Sequence, residues 1–300
     1  MKRVLFIYNR HAGKNKTWSG LSDIINAMVE QGCLVTAYPT QHRGDAGDAI
    51  VRWSRDFDQV VVAGGDGTLS EAISGVIRMD DRPIIGYIPV GTTNDFSKNL
   101  DLPATGRLTD LAVTAVSGPP HTHDLGQFNG RSFLYVAAFG AFTEVSYTTP
   151  QEIKNVLGYN AYMLESVKNL PSIKPYRVRL ECDDEVIEGE YLYGMVSNTT
   201  SVGRFRNFPP GRPDLSDGKL EVTLISPIRD VKDMAEFSRA LLMNDPSILN
   251  SMLTTFSATK VRVTALDEPL LWTLDGEAGG VHRVAEIAAL HNAYTIRHGK

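Results

Sequence analysis

The chain has 300 residues, of which 42% are hydrophobic and 22% are charged, and its formal net charge is -5 at pH 7. This near-average composition excludes a mostly disordered, collagen-like or coiled-coil protein, and the acidic balance gives no overall basic field for nucleic acid. The length predicts one large or two medium domains. Cys33 and Cys182 lie in strand-like runs, which predicts reduced thiols in a cytoplasmic protein. No apolar run approaches the roughly 18 residues of a transmembrane helix, so we expect a soluble protein.

The first half of the chain, to about Asp124, alternates short apolar runs with helical periods. Four buried strands are predicted at Val4–Tyr8, Cys33–Tyr38, Gln59–Ala63 and Ile84–Ile88. Helices are predicted over Trp18–Val29, Leu69–Ile77 and Leu108–Val116. This alternation predicts a parallel sheet covered on both faces, with ligands bound by the loops at the carboxyl ends of the strands.

The second half has the pattern of an antiparallel domain. The pair Asn129-Gly130 predicts a tight hairpin turn between strands at Asp124–Phe128 and Arg131–Ala138. Further strands are predicted at Lys174–Glu181, Val186–Ser197, Lys219–Ile225, Lys260–Ala265 and Leu270–Leu274. Helices are predicted near Tyr159–Leu170 and Val231–Met243.

A glycine-rich loop follows the third predicted strand and opens a helix near Leu69. It consists of Gly64, Gly65, Asp66, Gly67 and Thr68. Glycines let backbone N–H groups approach a polyphosphate, and a carboxylate at this point suits a magnesium ion. The alternative is a tight turn with a helix cap. A P-loop is excluded because the Gly-Lys-Ser/Thr ending is absent, and Ser70 stands where a dinucleotide fingerprint needs its third glycine.

Two further loops should lie at the same edge of the sheet. The loop Pro89–Phe96 offers Thr92, Asn94 and Asp95, although it could also be a simple turn and cap. The loop after the first strand adds cationic groups and consists of Asn9, Arg10, His11, Ala12, Gly13 and Lys14. Asp124 would close the acidic cluster.

Three motifs in this order carry a resemblance to a known family: Gly-Gly-Asp-Gly-Thr from Gly64, Gly-Thr-Thr-Asn-Asp-Phe from Gly91, and Asp275-Gly276-Glu277. Together they resemble the diacylglycerol kinase catalytic family, which is related to the sphingosine kinases and more distantly to the NAD kinases. Further matching pieces are Thr40 before Gly44-Asp45-Ala46, Asp124-Leu125-Gly126, and Asp214 with Asp217-Gly218-Lys219-Leu220. The resemblance covers nearly the whole chain.

The resemblance implies an α/β plus all-β protein. Residues 1–125 would form a nucleotide-binding α/β domain, rejoined by residues 289–300, and residues 126–288 a β-sandwich domain for the lipid. The implied reaction uses ATP and Mg²⁺ and transfers the γ-phosphate of ATP to a hydroxyl of a membrane lipid. The resemblance favours diacylglycerol as the acceptor, which would give phosphatidic acid. The implied partner is a membrane lipid, met through transient peripheral contact from the cytoplasm, with no nucleic acid; a homodimer stays open.

The resemblance also assigns residues. The implied nucleotide contacts are Asn9, Arg10, His11, Ala12, Gly13, Thr40, Gly65, Asp66, Gly67, Thr68, Leu69, Ser70, Glu71 and Thr92. The implied proton acceptor is Glu277, and a water-linked magnesium network would involve Asp66, Asp95 and Asp124. A structural metal would use Asp217 with Asp214 and Lys219. Arg10 departs from the family, which usually has proline there.

Several alternatives remain open at this point. Asp275 and Glu277 would face the same side of an extended segment as a catalytic pair, or Asp275-Gly276 could form a turn between two strands. An NAD-kinase-like enzyme shares the first glycine motif, and a nucleotide-binding regulator would keep it without catalysis. The stretch Arg204–Arg212 alternates arginines with phenylalanines, which predicts either a membrane contact or a loop with solvated arginines.

Overall fold

The computed structural model of the chain describes residues 1–13, 20–141, 174–202, 205–206, 213–243, 245–249 and 251–299. Lys14, the helix predicted near Tyr159–Leu170 and most of the stretch Arg204–Arg212 lie outside these residues. The chain divides into two compact units: Met1–Leu125 with His291–Lys300, and Gly126–Leu290. Within the described parts, no helix is long and apolar enough to cross a membrane.

The first unit is built on a parallel sheet, which confirms the predicted α/β class. Its strands are β1 (Lys2–Tyr8), β2 (Cys33–Pro39), β3 (Gln59–Gly64) and β4 (Ile85–Pro89), in the spatial order β2-β1-β3-β4. All three contacts between neighbouring strands are parallel. Every residue of β3 is buried, as a continuous apolar run in a sheet covered on both faces should be.

Four helices accompany this sheet: α1 (Leu21–Glu30), α2 (Asp45–Trp53), α3 (Asp66–Val76) and α4 (Leu108–Ser117). The helices α1 and α4 contribute a shared apolar stripe to the core beside β1 and β3, formed by Ile24, Ala27, Met28, Leu111, Ala112, Ala115 and Val116. The bounds of α1, α3 and α4 agree with the helical periods in the sequence to within a few residues.

The hydrophobic pattern does not predict α2. Its sequence contains Gly47 and two aspartates, which are poor helix formers. A Cβ on Gly47 would lie 2.6 Å from the carbonyl oxygen of Glu71, and one on Gly75 of α3 would lie 2.5 Å from the carbonyl oxygen of Gly47. The two glycines therefore let α2 and α3 approach backbone to backbone, and this tertiary contact outweighs the low intrinsic helix propensity.

The chain returns to the first unit at its C-terminal end. The last strand, β18 (Val284–Arg297), pairs Ile296 in parallel with Ile85 of β4. Beyond it, the N–H of His298 donates to the carbonyl of Pro119, and that of Gly299 donates to Leu100. These bonds place the end of the chain beside the start of β5 (Pro120–Phe128).

Two buried histidines meet where the chain returns. Nε2 of His123 lies 2.7 Å from Nε2 of His298, so one ring must donate a proton that the other accepts. The pKa of His298 lies at about 4 because burial disfavours the charged ring, an effect that His121 reinforces and Asp101 opposes. The structure therefore requires His298 to be neutral.

We expect acid to destabilise the protein through this pair. Because the folded-state pKa of His298 is below its ordinary value of 6.5, its contribution is complete above pH 6.5 and is lost as the pH falls towards 4. A shift of this size corresponds to about 3 kcal/mol. Thermal unfolding across this pH range should show a smaller pH dependence for His298→Gln than for the unmodified protein. Parallel curves for the two proteins would contradict this assignment.

The second unit is a sandwich of two antiparallel sheets, as predicted. One sheet contains β8 (Tyr176–Cys182), β9 (Glu185–Tyr191), β15 (Lys260–Ala265) and the first part of β18, together with the hairpin of β5 and β6 (Arg131–Phe133). The other has the order β14-β13-β10-β7-β16-β17. Its strands are β7 (Val136–Gly140), β10 (Tyr193–Ser197), β13 (Leu220–Ile225), β14 (Leu253–Ala258), β16 (Leu270–Leu274) and β17 (Glu277–His282).

The core of the sandwich contains buried side chains from both sheets. Trp272 contacts the rings of Phe128 and Phe139 at centroid distances of 4.9 and 5.0 Å, and Val178 and Val263 belong to the same cluster. The short strands β11 (Ser201–Val202) and β12 (Phe205–Arg206) form a separate ribbon, and the helix α5 (Val231–Met243) follows β13.

Two strands predicted as continuous are divided. The run Val186–Ser197 becomes β9 in one sheet and β10 in the other, with buried Leu192 at the crossing. The run Arg131–Ala138 likewise becomes β6 and β7. Alternation of apolar and polar residues does not indicate where a chain changes sheets, because both segments keep the same period of two. The predicted turn at Asn129-Gly130 is confirmed, with positive φ at both residues.

Candidate active site

The glycine-rich loop connects β3 to α3 in the first unit. Gly65 is the residue before the helix, and no side chain caps the helix N-terminus there. Gly67 is exposed, while Gly65 and Asp66 are partly exposed. The helix dipole makes such an end favourable for an anion. A Cβ on Gly64 would lie 2.5 Å from Cβ of Thr68, so this position requires glycine.

The loop after β4 lies directly against the first glycine loop. A Cβ on Gly91 would lie 2.5 Å from Cα of Gly65, so the two loops meet backbone to backbone. Asn94 holds the turn with φ of 49°: its side-chain oxygen accepts the Gly91 N–H, and its amide donates to the Gly91 carbonyl. Thr92 is exposed on this loop. The sequence prediction that these two loops lie side by side is consistent with this geometry.

Asp66 joins the two loops. One carboxylate oxygen accepts the N–H of Asp95 at 2.8 Å, and the other accepts the N–H of Phe96 at 3.1 Å. Its negative charge, together with burial, which is the larger cause, raises the pKa of the Tyr87 phenol well above its ordinary value. Tyr87 therefore stays a neutral donor, bonded to the carbonyl of Gly64.

Asp95 is buried and forms an ion pair with Lys98, whose Nζ lies 2.6 Å from its carboxylate. Lys98 was not predicted from the sequence as a site residue. The spacing of three residues between an acid and a base in a short helical turn is a signal that could have indicated the pair. The ion pair with Lys98 holds the Asp95 carboxylate beside the glycine loops.

The loop after β1 contacts the same helix end. The side-chain amide of Asn9 donates to the Thr68 hydroxyl at 3.2 Å, while its oxygen accepts the N–H of His11. Nε of Arg10 donates to the ring of His11. The N–H of Thr40, at the end of β2, donates to Tyr8. The segments that follow β1, β2, β3 and β4 thus carry the residues that were predicted to contact the nucleotide, and all of these segments belong to the first unit.

Leu69 and Asp124, two of the predicted site residues, are completely buried. Leu69 was predicted to contact the nucleotide, but its side chain is in the core and its N–H donates to the carbonyl of Gly65. Asp124 was predicted to join a magnesium network, but it is completely buried and accepts hydrogen bonds from the His291 ring and the Asn292 N–H. Its carboxylate therefore bonds to the part of β18 that lies in the first unit.

Asp275 and Gly276 form the turn between β16 and β17, with φ of 51° and 79°. The chain therefore forms a turn here and not an extended segment, while the predicted catalytic role of Asp275 stays a prediction. The carboxylate of Asp275 accepts the N–H groups of Leu134, Tyr135 and Val136, at distances from 2.6 to 3.2 Å. These are the residues at which the chain passes from β6 to β7, so the geometry assigns Asp275 to holding that crossing.

Glu277 differs from Asp275 in its surroundings. It is the first residue of β17, its side chain is about half-exposed, and Nη2 of Arg131 lies 3.8 Å from its carboxylate. An exposed ion pair of this length contributes little to stability. Within the Asp-Gly-Glu motif, Glu277 is thus exposed, whereas Asp275 is partly exposed and accepts three backbone N–H groups.

The loop that was predicted to hold a structural metal contains hydrogen bonds between its own residues. Asp214 accepts the N–H and the hydroxyl of Ser216, and Asp217 accepts the N–H of Lys219. Across the described parts of the chain, no group of three or more His, Cys, Asp or Glu side chains is arranged to hold a metal ion. The two predicted metal sites, which also involve carbonyl groups and water, stay predictions.

The matching family models and similar curated proteins point to the same family. The diacylglycerol kinase catalytic domain matches residues 3–128, and the YegS C-terminal NAD kinase beta sandwich-like domain matches residues 138–289. A diacylglycerol kinase of Bacillus subtilis is 34% identical over 289 residues, covering 94% of this chain and 91% of that protein. One from Staphylococcus saprophyticus is 36% identical over 225 residues, covering 75% of this chain and 73% of that protein.

Crystal structures from Bacillus anthracis have the same fold. One covers 99% of this chain and 98% of its own, with a TM-score of 0.82 and 23% identity. Another, described as a diacylglycerol kinase, covers 99% and 97%, with a TM-score of 0.75 and 21% identity. The sequence similarity over 94% of the chain and the two domain matches agree with the motifs at Gly64, Gly91 and Asp275, so the chain belongs to the diacylglycerol kinase catalytic domain family.

Proposed function

We propose that this protein is an ATP-dependent lipid kinase that transfers the γ-phosphate of ATP to a hydroxyl of a membrane lipid, with diacylglycerol as acceptor and phosphatidic acid as product. The observation that carries the proposal is the contact of two glycine loops at the uncapped start of α3, bridged by Asp66. The names of the relatives support the class of acceptor.

The first unit fits the phosphates of a nucleotide. Side chains are absent where Gly65 and Gly91 approach each other, and the N-terminus of α3 is accessible at Gly67. Backbone donors at such a helix end can neutralise a polyphosphate without a large rearrangement. Asn9 and Thr68 would fix the first strand's loop beside it, and the exposed Thr92 would offer a hydroxyl.

The same place fits Mg²⁺ only as an ion shared with the nucleotide. Magnesium typically keeps several waters and uses one or two carboxylates together with substrate phosphates. Asp66 and Asp95 are the two carboxylates that would hold it. When bound, the ion would neutralise charge on the phosphate oxygens. Lys98 would orient the Asp95 carboxylate through its ion pair.

Glu277 is the residue that we propose as the proton acceptor for the lipid hydroxyl. A base for this reaction needs a carboxylate that the hydroxyl can approach. The side chain of Glu277 is about half-exposed, and its ion pair with Arg131 is 3.8 Å long. Asp275 would act as a positioning residue, because its turn and its three backbone bonds fix where β17 begins.

The direct test measures ATP consumption and lipid phosphorylation with a panel of acceptors in mixed detergent micelles. The panel should contain diacylglycerol, monoacylglycerol, phosphatidylglycerol, a sphingoid base and an isoprenoid alcohol, with NAD as the water-soluble comparison. We expect transfer to diacylglycerol. Transfer to NAD alone would establish the dinucleotide-kinase alternative, and nucleotide binding without transfer to any acceptor would establish a regulator.

A further inference from the structure

The helix α5 exposes an unusual combination of side chains on its outward side. Phe237 and Ala240 are buried on its inner side, whereas Val231, Leu242 and Met243 are 86%, 63% and 61% exposed. Ala235, Arg239 and Lys232 are also exposed. Successive positions on a helix are about 100° apart, so these six residues share the side opposite to Phe237 and Ala240.

The acidic residues near α5 accept hydrogen bonds from neighbouring backbone and side-chain groups. Asp230 accepts the N–H of Asp233, and Asp233 accepts the N–H of Arg229, so both stabilise the helix N-terminus. Glu236 is only partly exposed, accepts the hydroxyl of Ser251, and lies 3.8 Å from Lys232. The six outward residues of α5 are apolar or basic, and the partly exposed carboxylate of Glu236 lies at the edge of this face, beside Lys232.

We propose that this outward face, Val231, Lys232, Ala235, Arg239, Leu242 and Met243, binds an anionic membrane surface. The inference rests on the proposed function in taking the acceptor to be a membrane lipid. The apolar side chains would enter the acyl boundary, and Lys232 and Arg239 would contact anionic head groups. The chain as a whole carries a net charge of -5, so attraction to such a surface must come from a local basic face.

The size of the face favours a membrane over a protein partner. A helix of 13 residues is about 20 Å long and presents on the order of 200 Å² on one side. A stable protein interface buries about 800 Å² on each partner. Attachment to a lipid surface needs only a few inserted side chains and basic contacts, each of which adds to the affinity independently.

Sedimentation with vesicles tests the proposal without requiring catalysis. The unmodified protein should bind vesicles of phosphatidylcholine with phosphatidylglycerol more strongly than vesicles of phosphatidylcholine alone, and salt should weaken this binding. The variant Lys232→Gln with Arg239→Gln should lose affinity by about fivefold for each removed charge. The variant Leu242→Ser with Met243→Ser should lose about tenfold or more and should affect both kinds of vesicle.

Matched changes elsewhere provide the controls. Arg55→Gln with Lys260→Gln removes two exposed charges, and Leu34→Ser with Val186→Ser removes two exposed apolar side chains. Both control proteins should bind vesicles as the unmodified protein does. All four variants should keep their thermal midpoint and their turnover of short-chain diacylglycerol in detergent, because none changes a residue of the nucleotide loops.

The outcomes separate this inference from the proposed function. Equal vesicle binding by the face variants and the controls would overturn the membrane assignment, even if lipid turnover is found. A change in oligomeric state of the face variants, with vesicle binding unchanged, would also overturn it and would identify the face as a contact between copies of the chain. Selective loss of vesicle binding supports it, including in a protein that phosphorylates no lipid.

Discussion

Asp66→Asn should lower lipid kinase turnover by at least about 100-fold, which is the scale expected when a preorganised charged group at a phosphoryl-transfer site is lost. Both oxygens of Asp66 accept backbone N–H groups, from Asp95 and Phe96. An asparagine has one acceptor oxygen, and its amide group would face a second donor. The substitution therefore removes a negative charge and also loosens the contact between the two glycine loops.

Steady-state turnover at several Mg²⁺ concentrations, together with thermal unfolding, checks this result. We expect a lower thermal midpoint and an activity that excess Mg²⁺ does not restore. Asp48→Asn is the matched control, because Asp48 lies in the first turn of α2 and forms an exposed ion pair with Arg78. It should retain nearly full activity. Turnover of Asp66→Asn within a factor of about two of the unmodified enzyme would exclude this site.

Glu277→Gln should lower turnover by about 10² to 10⁴, the range that a general base contributes, while the affinity for ATP stays the same. Glutamine keeps the size of the side chain and removes its ability to take a proton. Because the ion pair with Arg131 is exposed and 3.8 Å long, the substitution should change stability little. Initial rates and equilibrium binding of ATP, measured on the same preparation, separate the two effects.

Asp275→Ala provides the contrast within the same motif. It leaves the N–H groups of Leu134, Tyr135 and Val136 without their carboxylate partner. We expect a loss of roughly 3 kcal/mol of stability, seen as a lower unfolding midpoint in urea. If Glu277→Gln instead raises the Michaelis constant for ATP with turnover unchanged, Glu277 belongs to nucleotide binding. If Asp275→Ala is as stable as the unmodified protein, its role at the crossing is wrong.

The parallel sheet of the first unit could be predicted because its strands are continuous apolar runs. Val60, Val61 and Val62 of β3 are apolar and completely buried, so a single feature of the sequence identifies the strand and its environment. The helix α2 could not be found in this way, because the contact of Gly47 with α3 depends on residues far along the chain. Local patterns describe one element at a time, whereas such a contact involves two.

The position of the candidate site could be predicted from the sequence, but the roles of its individual carboxylates could not. The glycines at Gly65 and Gly91 indicated two loops at one edge of a parallel sheet, since both follow strands of that sheet. The roles of the carboxylates could not be separated from the sequence. Asp66, Asp124 and Asp275 are the same residue type, and only their hydrogen-bond partners show which one lies against the glycine loops and which ones hold other segments of the chain.

The return of β18 to the first unit has a consequence for how the protein is made. β4 has β3 on one side and the end of β18 on the other, so its second edge stays unpaired in a nascent chain until the whole second unit has left the ribosome. At the usual speed of translation this delay is on the order of ten seconds. The first unit can therefore start to fold early, but its sheet is completed only when β18 pairs with β4. Until then the unpaired edge of β4 is exposed to aggregation, and a chaperone would protect the chain there.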